Sequence, residues 1–368
     1  MFTIWTAIQA VQVGMRALIT DGCSQDEQAY ANAWASRYSN FSTAMANLLA
    51  YLDFLPHAAS HDHASSIFQN MSLLAILLLA MTTTISCISV TEIVPKSVIL
   101  SPDPHAGKSL RDMWNFFLGN PSQTRTICIV QAFSWLGWFP FLYYIVTYVN
   151  QLYYDESTRT GRPKALIDHG DTRRGLLALS VFGFVSLVVS MILPLLVSRW
   201  QIMSMRRLWM MSNLLFAIFM LSMSILSSST VALVLCSIVG FSWAVSSWIP
   251  YALLGAEASV SPHFQGYGLT GFEGLDAEEK LQDQELRPGD GNLANDMGLL
   301  YGIHNLAICL PQIFLSLAMG LERMLSHEDH IQGRPGGGPG ESLIWIFRIA
   351  GAAALVSMYF IDGIRGDS

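Results

Sequence analysis

The stretch LLALSVFGFVSLVVSMILPLLV, residues 176–197, decides how this chain has to be read. It contains no charged side chain, and Arg173, Arg174 and Arg199 bracket it. A helix that crosses a bilayer needs about 20 mostly apolar residues. Lipid offers the backbone no hydrogen-bond partners, so such a run satisfies its own N–H and C=O groups as a helix. A strand of this length would be far outside the usual range. The run MSLLAILLLAMTTTISCISV, residues 71–90, repeats the pattern.

Working outward, nine stretches qualify: 2–20, 39–56, 69–92, 124–150, 174–198, 207–228, 230–255, 297–321 and 342–362. The first two are the weakest, because they carry Gln9, Gln12, Arg16 and Asp53. The expected class is an all-α integral membrane protein of about nine transmembrane helices. Composition agrees. Of 368 residues 52% are apolar and 13% charged, whereas a soluble domain is about a quarter charged. That excludes a soluble enzyme and a disordered scaffold. The net charge of -7 argues against a polyanion, hence no nucleic acid as partner. The lipid bilayer is the first partner implied.

Residues 1–20 have no basic leader and no small-residue cleavage site, so they read as a span rather than a signal peptide. Cys23, Cys87, Cys128, Cys236 and Cys309 are too scattered for a ligand set and are expected as buried free thiols. His57, His61, Asp62 and His63 crowd one loop without a second shell to fix a metal. No G-x-x-x-x-G-K, G-x-S-x-G or H-E-x-x-H motif occurs. No enzyme, metal site or cofactor is therefore expected.

Lys and Arg on alternate loops set the orientation. Arg37, Lys96, Lys108, Arg111, Arg125, Arg199, Arg206, Arg207, Lys280, Arg287 and Arg365 fall on one side. Arg159, Arg162, Lys164, Arg173, Arg174, Arg323 and Arg334 fall on the other. The richer side is the expected cytoplasmic one. FEGLDAEEKLQDQELRPGDGN, residues 272–292, is an acidic loop, and GRPGGGPG, residues 333–340, a turn-rich linker.

Polar residues within spans carry the functional signal. Arg16 would cost about 2.5–3.5 kcal/mol at a helix centre on insertion scales, so it should face a cavity. Snorkelling from the helix end is the alternative, since Asp21 follows closely. Gln9, Gln12 and Arg16 share one helix face. Trp138, Tyr144 and Thr147 form a second group, around Pro140, whose ring can kink the helix. Trp243, Ser246, Ser247 and Trp248 form a third, and His304 and Asn305 a fourth. Aromatic rings beside amides suit a sugar, because rings stack on its apolar face and polar groups take its hydroxyls. An interfacial aromatic belt is the competing reading.

At these same segments the chain resembles the sucrose-transporter-like branch of the glycoside–pentoside–hexuronide cation symporters, within the major facilitator superfamily, with fungal members the most similar. IQAVQVGMRALITD (8–21) resembles that family's fourth helix, and DEQAYANAWASR (26–37) the cytoplasmic loop after it. GWFPFLYY (137–144), SWAVSSWIPYALLGAE (242–257), GIHNLAICLPQ (302–312) and IWIFRIAGAAALV (344–356) resemble its seventh, tenth, eleventh and twelfth helices. The resemblance implies a major-facilitator-type bundle in which these spans match helices 4–12 of twelve, the first three being absent through a truncated gene model or a real loss. It divides the chain into a partial N-terminal half of three helices (1–92), a cytoplasmic linker (93–123) and a six-helix C-terminal half (124–368) with a flexible acidic loop at 256–296.

The implied activity is membrane transport of a disaccharide, sucrose or a maltose-like α-glucoside, by sugar:proton symport with alternating access. The alternative is a degenerate, non-transporting fragment or a sugar sensor. The substrate-binding candidates are Gln12, Arg16, Trp138, Tyr144, Thr147, Trp243, Trp248, His304 and Asn305. Asp21, Arg37, Arg206 and Arg207 are candidates for charge pairs at cytoplasmic helix ends. Positions normally acidic in the family hold Trp5 and Gln151 here, and a neutral amide cannot carry the coupling proton. The plasma membrane is the expected location, with the vacuolar membrane as the rival. Oligomeric state is left open, a monomer being the default.

Overall fold

The computed structural model describes residues 2–23, 25–52, 63–89, 110–119, 122–161, 173–200, 203–260, 293–331 and 339–364. Among them are ten helices and no strand. They are α1 (Phe2–Asp21), α2 (Gln25–Leu52), α3 (His63–Ser89), α4 (Leu110–Gly119), α5 (Ser122–Arg159), α6 (Arg173–Trp200), α7 (Met205–Ser222), α8 (Ser229–Val260), α9 (Leu293–Ile331) and α10 (Pro339–Ile361). By length and composition α3, α5, α6, α8, α9 and α10 can cross a membrane. The expected spans 2–20, 39–56 and 207–228 are helical over 2–20, 39–52 and 207–222 and are not among these six, Ala10–Ile19 being an apolar but shorter stretch.

Several boundaries differ from expectation. Residues 26–37, read as a loop, belong to α2, which begins 14 residues ahead of the expected span. Buried partners for its polar side chains make this possible, as shown below. Helix α4 occupies the middle of the expected linker 93–123. Helix α8 continues to Val260, five residues into the expected acidic loop, and α9 starts at Leu293, so the loop proper lies outside the described residues. Helix α5 runs without a break through Pro140.

The bundle is built by α5, α6, α7, α8 and α10, with α2 laid against α6 and α8 and α9 against α5 and α1. One aromatic core joins Trp138 and Phe141 of α5, Phe182 of α6, Phe216 and Phe219 of α7 and Phe347 of α10. Trp138 stacks on Phe216 with ring centroids 4.1 Å apart. A second core joins Ile127, Trp209, Ile249 and Ile361 and takes in Ala33 of α2. A small third core, Leu254, Leu300 and Tyr301, packs with Val13 and Ala17 and so fastens α1 to α8 and α9. Helix α3 packs lightly, and Leu73, Ile76, Leu77, Ile85 and Ile88 along it are exposed, as lipid-facing side chains are.

Helix α2 inverts the usual amphipathic arrangement. Gln28, Asn32, Ser36 and Asn40 recur every fourth residue and are all buried. Ser36 and Ser247 share a hydrogen bond of 2.8 Å between their hydroxyls. The Asn40 amide donates to Ser36 Oγ at 3.1 Å and to Ser247 Oγ at 3.2 Å, and its oxygen accepts from Ser186 Oγ at 2.7 Å. Farther along, Asn47 donates to the Leu179 carbonyl at 3.2 Å, and Ser180 donates back to the Asn47 carbonyl at 3.0 Å. Small residues allow the approach, as in other membrane helix pairs. A Cβ on Gly183 would lie 2.9 Å from the Ala44 Cα, and one on Gly240 2.6 Å from the Phe182 carbonyl oxygen. The result is a seam of neutral polar bonds joining α2 to α6 and α8.

Candidate functional site

A cleft of about 670 Å³ opens where α1, α2, α8 and α9 meet. The end of α1, the start of α2, the end of α8 and the start of α9 come together there, so the cleft lies toward one end of the bundle. Gln12, Arg16, His304 and Asn305 all line it. Four of the nine residues expected from sequence to bind substrate are thus brought together from segments nearly 300 positions apart.

Arg16 is the centre of the arrangement. Its guanidinium carbon lies 3.6 Å from the Tyr251 ring centroid, a close cation–π contact. Its Nη1 donates to Asn32 Oδ1 at 3.2 Å. The Asn32 amide donates to the Gln28 carbonyl at 2.9 Å, and Gln28 Nε2 donates to the Cys23 carbonyl at 2.9 Å. Gly255 leaves the space that Gln28 fills, since a Cβ there would meet the Gln28 amide oxygen at 2.6 Å. One chain of polar groups thus ties α1 to α2 around the arginine, with Tyr251 and Gly255 of α8 packed against it.

His304 also packs against Tyr251, its ring 5.1 Å away and steeply inclined at 70°. His304 is 1% exposed, and its Nε2 has no hydrogen-bond partner among the described residues. A buried polar atom without a partner costs free energy, so a ligand or water that reaches it is favoured. Arginine, imidazole and amide therefore converge on one aromatic surface, an arrangement that can hold a small molecule rich in hydroxyl groups.

The remaining expected residues stand elsewhere. Trp138 is 1% exposed and lies in the aromatic core, wedged against Phe216 and Trp243. Trp243 packs among Trp135, Trp138 and Phe182. Trp248 is buried beside α2, donating from its indole to the Ala29 carbonyl at 3.0 Å. Tyr144 packs against the same core, and Thr147 is exposed on α5. These five do not line the cleft. The rings of Trp138, Tyr144 and Trp243 pack in the aromatic core instead, and Trp243 Nε1 has no hydrogen-bond partner among the described residues. Gln151 is exposed and donates to Asp155 Oδ1 at 2.9 Å.

Among the expected charge pairs, Arg37 is buried, not at a helix end. It is 12 residues into α2, so about 18 Å along it. Its Nε donates to the Ser190 carbonyl at 3.3 Å, and its guanidinium carbon lies 4.6 Å from the Trp34 ring centroid. Arg206 clasps the end of α10, donating to the carbonyls of Asp362 at 3.2 Å and Ile364 at 3.1 Å, with the Asp362 carboxylate 4.0 Å away. Arg207 is exposed in the first turn of α7. The Asp21 and Trp5 side chains lie outside the described residues, as do His57, His61 and Asp62. Among the described residues no group of His, Cys, Asp and Glu could hold a metal. Cys128 and Cys236 are buried as expected and Cys23 and Cys309 half-buried, but Cys87 is exposed, because it lies on the loosely packed α3.

Trp34, Tyr38, Tyr251 and Tyr301 also line the cleft and were not singled out from sequence. Trp34 was hidden by reading 26–37 as a loop, and Tyr38 fell between that loop and the span expected from 39. The spacing of Tyr30, Trp34 and Tyr38, one every fourth residue, is the signal that could have found them.

Comparison with known proteins agrees with this architecture. Over 435 aligned positions the chain is 25% identical to a general alpha-glucoside permease of Schizosaccharomyces pombe, covering 96% of this chain and 70% of that protein. It is 32% identical over 166 positions to an MFS-type transporter of Talaromyces islandicus, covering 45% of this chain and 54% of that one. It is 24% identical over 347 positions to a sucrose transport protein of Oryza sativa subsp. indica, covering 84% of this chain and 60% of that one. The chain thus spans about half to two-thirds of the length of the last two and somewhat more of the first. Residues 4–272 match the family model of the Major Facilitator Superfamily. With that match covering most of the chain and six described helices able to cross a bilayer, this multi-pass membrane protein belongs to the Major Facilitator Superfamily.

Proposed function

We propose that the protein carries an α-glucoside, of the sucrose or maltose type, across the membrane, and that the cleft between α1, α2, α8 and α9 is where the sugar binds. One observation carries the reading: Arg16, His304, Asn305 and Gln12 converge beside the ring of Tyr251. A sugar presents hydroxyls at its edge and an apolar face, which suits donors and acceptors set against rings. The cleft volume is within the usual range for small-molecule pockets. The names of the relatives, an alpha-glucoside permease and a sucrose transport protein, point to the same substrate class.

Arg16 binds sugar hydroxyls in this reading, with Asn305 and Gln12 completing the set and His304 Nε2 taking one further bond. Arg206 holds the cytoplasmic ends of α7 and α10 together, while Trp138, Tyr144, Trp243 and Trp248 act from the core and Thr147 from the surface of α5, none touching sugar. Alternating access moves the two parts of the bundle about the cleft. Coupling to a proton is the family expectation, and Gln151 takes no part in it because its amide does not titrate. The plasma membrane is the proposed location, and one chain the proposed unit.

The test is uptake of labelled maltose and sucrose by the full chain in proteoliposomes, with and without an inward proton gradient. Uptake of either sugar above empty vesicles is expected, and Arg16→Lys should reduce it about tenfold or more, since the planar, multi-donor guanidinium is lost. Stimulation by the gradient supports symport, and gradient-independent uptake indicates facilitated diffusion. No uptake of either sugar by the intact chain overturns the proposal.

A further inference from the structure

Asn32 stands behind the cleft rather than in it. It is 2% exposed and does not line the cavity, yet its Oδ1 accepts from Arg16 Nη1 at 3.2 Å. The amide is turned this way by its other end. Nδ2 donates to the Gln28 carbonyl at 2.9 Å and reaches Gln28 Oε1 at 3.5 Å. A flipped amide would set its NH2 group against the guanidinium and its oxygen against the Gln28 carbonyl, donor on donor and acceptor on acceptor. Gln28 is itself fixed. It is fully buried, donates to the Cys23 carbonyl at 2.9 Å and fills the space that Gly255 leaves. The Asn32 oxygen therefore has one direction, and it points to α1.

This bond decides how Arg16 is turned. The Tyr251 ring, 3.6 Å from the guanidinium carbon, sets where the group sits. A ring against that carbon does not set the rotation of the planar group about it, whereas a hydrogen bond from Nη1 does. A guanidinium holds five N–H donors in a rigid fork, so fixing the direction of one fixes the other four. Donors aimed in advance cost a ligand less ordering entropy than donors that settle only on binding. A binding group whose orientation is locked by a bonded neighbour outside the site is also the more precise one.

We infer that Asn32 is a positioning residue for sugar binding: it touches no sugar and sets the orientation in which Arg16 offers its donors to the hydroxyls. The inference rests on the sugar-binding reading of the cleft. It assigns a role in recognition to a side chain of the buried ridge of α2, one turn ahead of the pair formed by Ser36 and Ser247.

The test is equilibrium binding of maltose and sucrose to the full chain in nanodiscs, with the concentration dependence of uptake in proteoliposomes beside it. Asn32→Leu should weaken binding about five- to tenfold. It should raise the half-saturating concentration of uptake by a similar factor and leave the maximal rate within about twofold, as expected when only binding is lost. Asn32→Asp keeps an oxygen toward the guanidinium and should stay within about threefold of the wild type. In an Arg16→Lys background Asn32→Leu should cost less than about twofold, because an ammonium has no planar fork to turn. The positioning role is overturned, while the sugar-binding cleft stands, if Asn32→Leu binds as the wild type does, if it loses the same factor in both backgrounds, or if Asn32→Asp loses as much as Asn32→Leu. A fall in maximal rate at an unchanged half-saturating concentration overturns it as well. If the folded wild type binds neither sugar, the sugar reading fails and the positioning role with it.

Discussion

Asn40→Leu is the sharpest test of the seam between α2 and its neighbours. Asn40 is 0% exposed and makes three side-chain bonds, to Ser36, Ser247 and Ser186. Leucine is similar in size, so the substitution removes the bonds without opening a large cavity. Polar bonds between membrane helices average about 0.6 kcal/mol each, which puts the three at about 2 kcal/mol. The hydroxyls left behind can turn back to carbonyls of their own helices, as Ser247 already does toward Ala244 at 3.0 Å, and this caps the penalty. The assay is reversible unfolding in mixed micelles, read by tryptophan fluorescence, with Ser186→Ala as partner variant. Alone, Ser186→Ala should cost about 0.6 kcal/mol. Combined with Asn40→Leu it should cost almost nothing, because its partner has already gone. The seam would be refuted as a stabilising element if Asn40→Leu matched the wild type, or if Ser186→Ala cost the same in both backgrounds.

Two further predictions concern packing and capping. Gly240→Ala places a Cβ 2.6 Å from the Phe182 carbonyl oxygen and should cost about 1–3 kcal/mol. Gly302→Ala meets nothing within 4 Å and should be neutral or stabilise by about 0.5–1 kcal/mol, so the two variants measured side by side in the same micelles separate crowding from helix propensity. Glu156, at the end of α5, caps α8 from outside it by accepting from the Ser229 N–H at 3.0 Å, Ser229 Oγ at 2.8 Å and Ser228 Oγ at 3.1 Å. Glu156→Ala should cost about 1 kcal/mol and accelerate hydrogen exchange at the first turn of α8, and unchanged exchange there would show that the cap is idle.

The apolar spans were legible because the bilayer imposes one length and one composition on them, and 176–197 falls wholly within α6. The convergence of Arg16, Gln12, His304 and Asn305 was legible as well, since each is a polar group in a greasy segment and needs a cavity or a partner. Helix α2 was not. A hydropathy reading assigns each side chain the cost of meeting lipid alone, and Gln28, Asn32, Ser36 and Asn40 do not meet lipid. The long-range partners of Ser36 and Asn40, Ser186 and Ser247, are more than 140 positions away, so nothing local announces that this part of the ridge is buried. The aromatic residues of α5 and α8 misled for the opposite reason. Trp138, Trp243 and Trp248 were expected around a cavity because ring faces stack on sugars, but Trp138 and Trp243 pack ring on ring in the interior and the Trp248 indole bonds the Ala29 carbonyl.

The seam also sets an order of events during biogenesis. Ser36 pairs with a residue 211 positions later in the chain. At ordinary synthesis rates that interval takes about 10–40 s. Throughout it Ser36 and Asn40 of α2 lack the Ser247 hydroxyl that α8 supplies, and until α6 is made Asn40 lacks Ser186 as well. Helix α2 is thus a segment for which the insertion machinery, or a membrane chaperone that shields polar faces, has to substitute until α8 arrives. Variants that slow synthesis between residues 52 and 247 should lower the yield of folded protein even though every contact in the finished structure is unchanged.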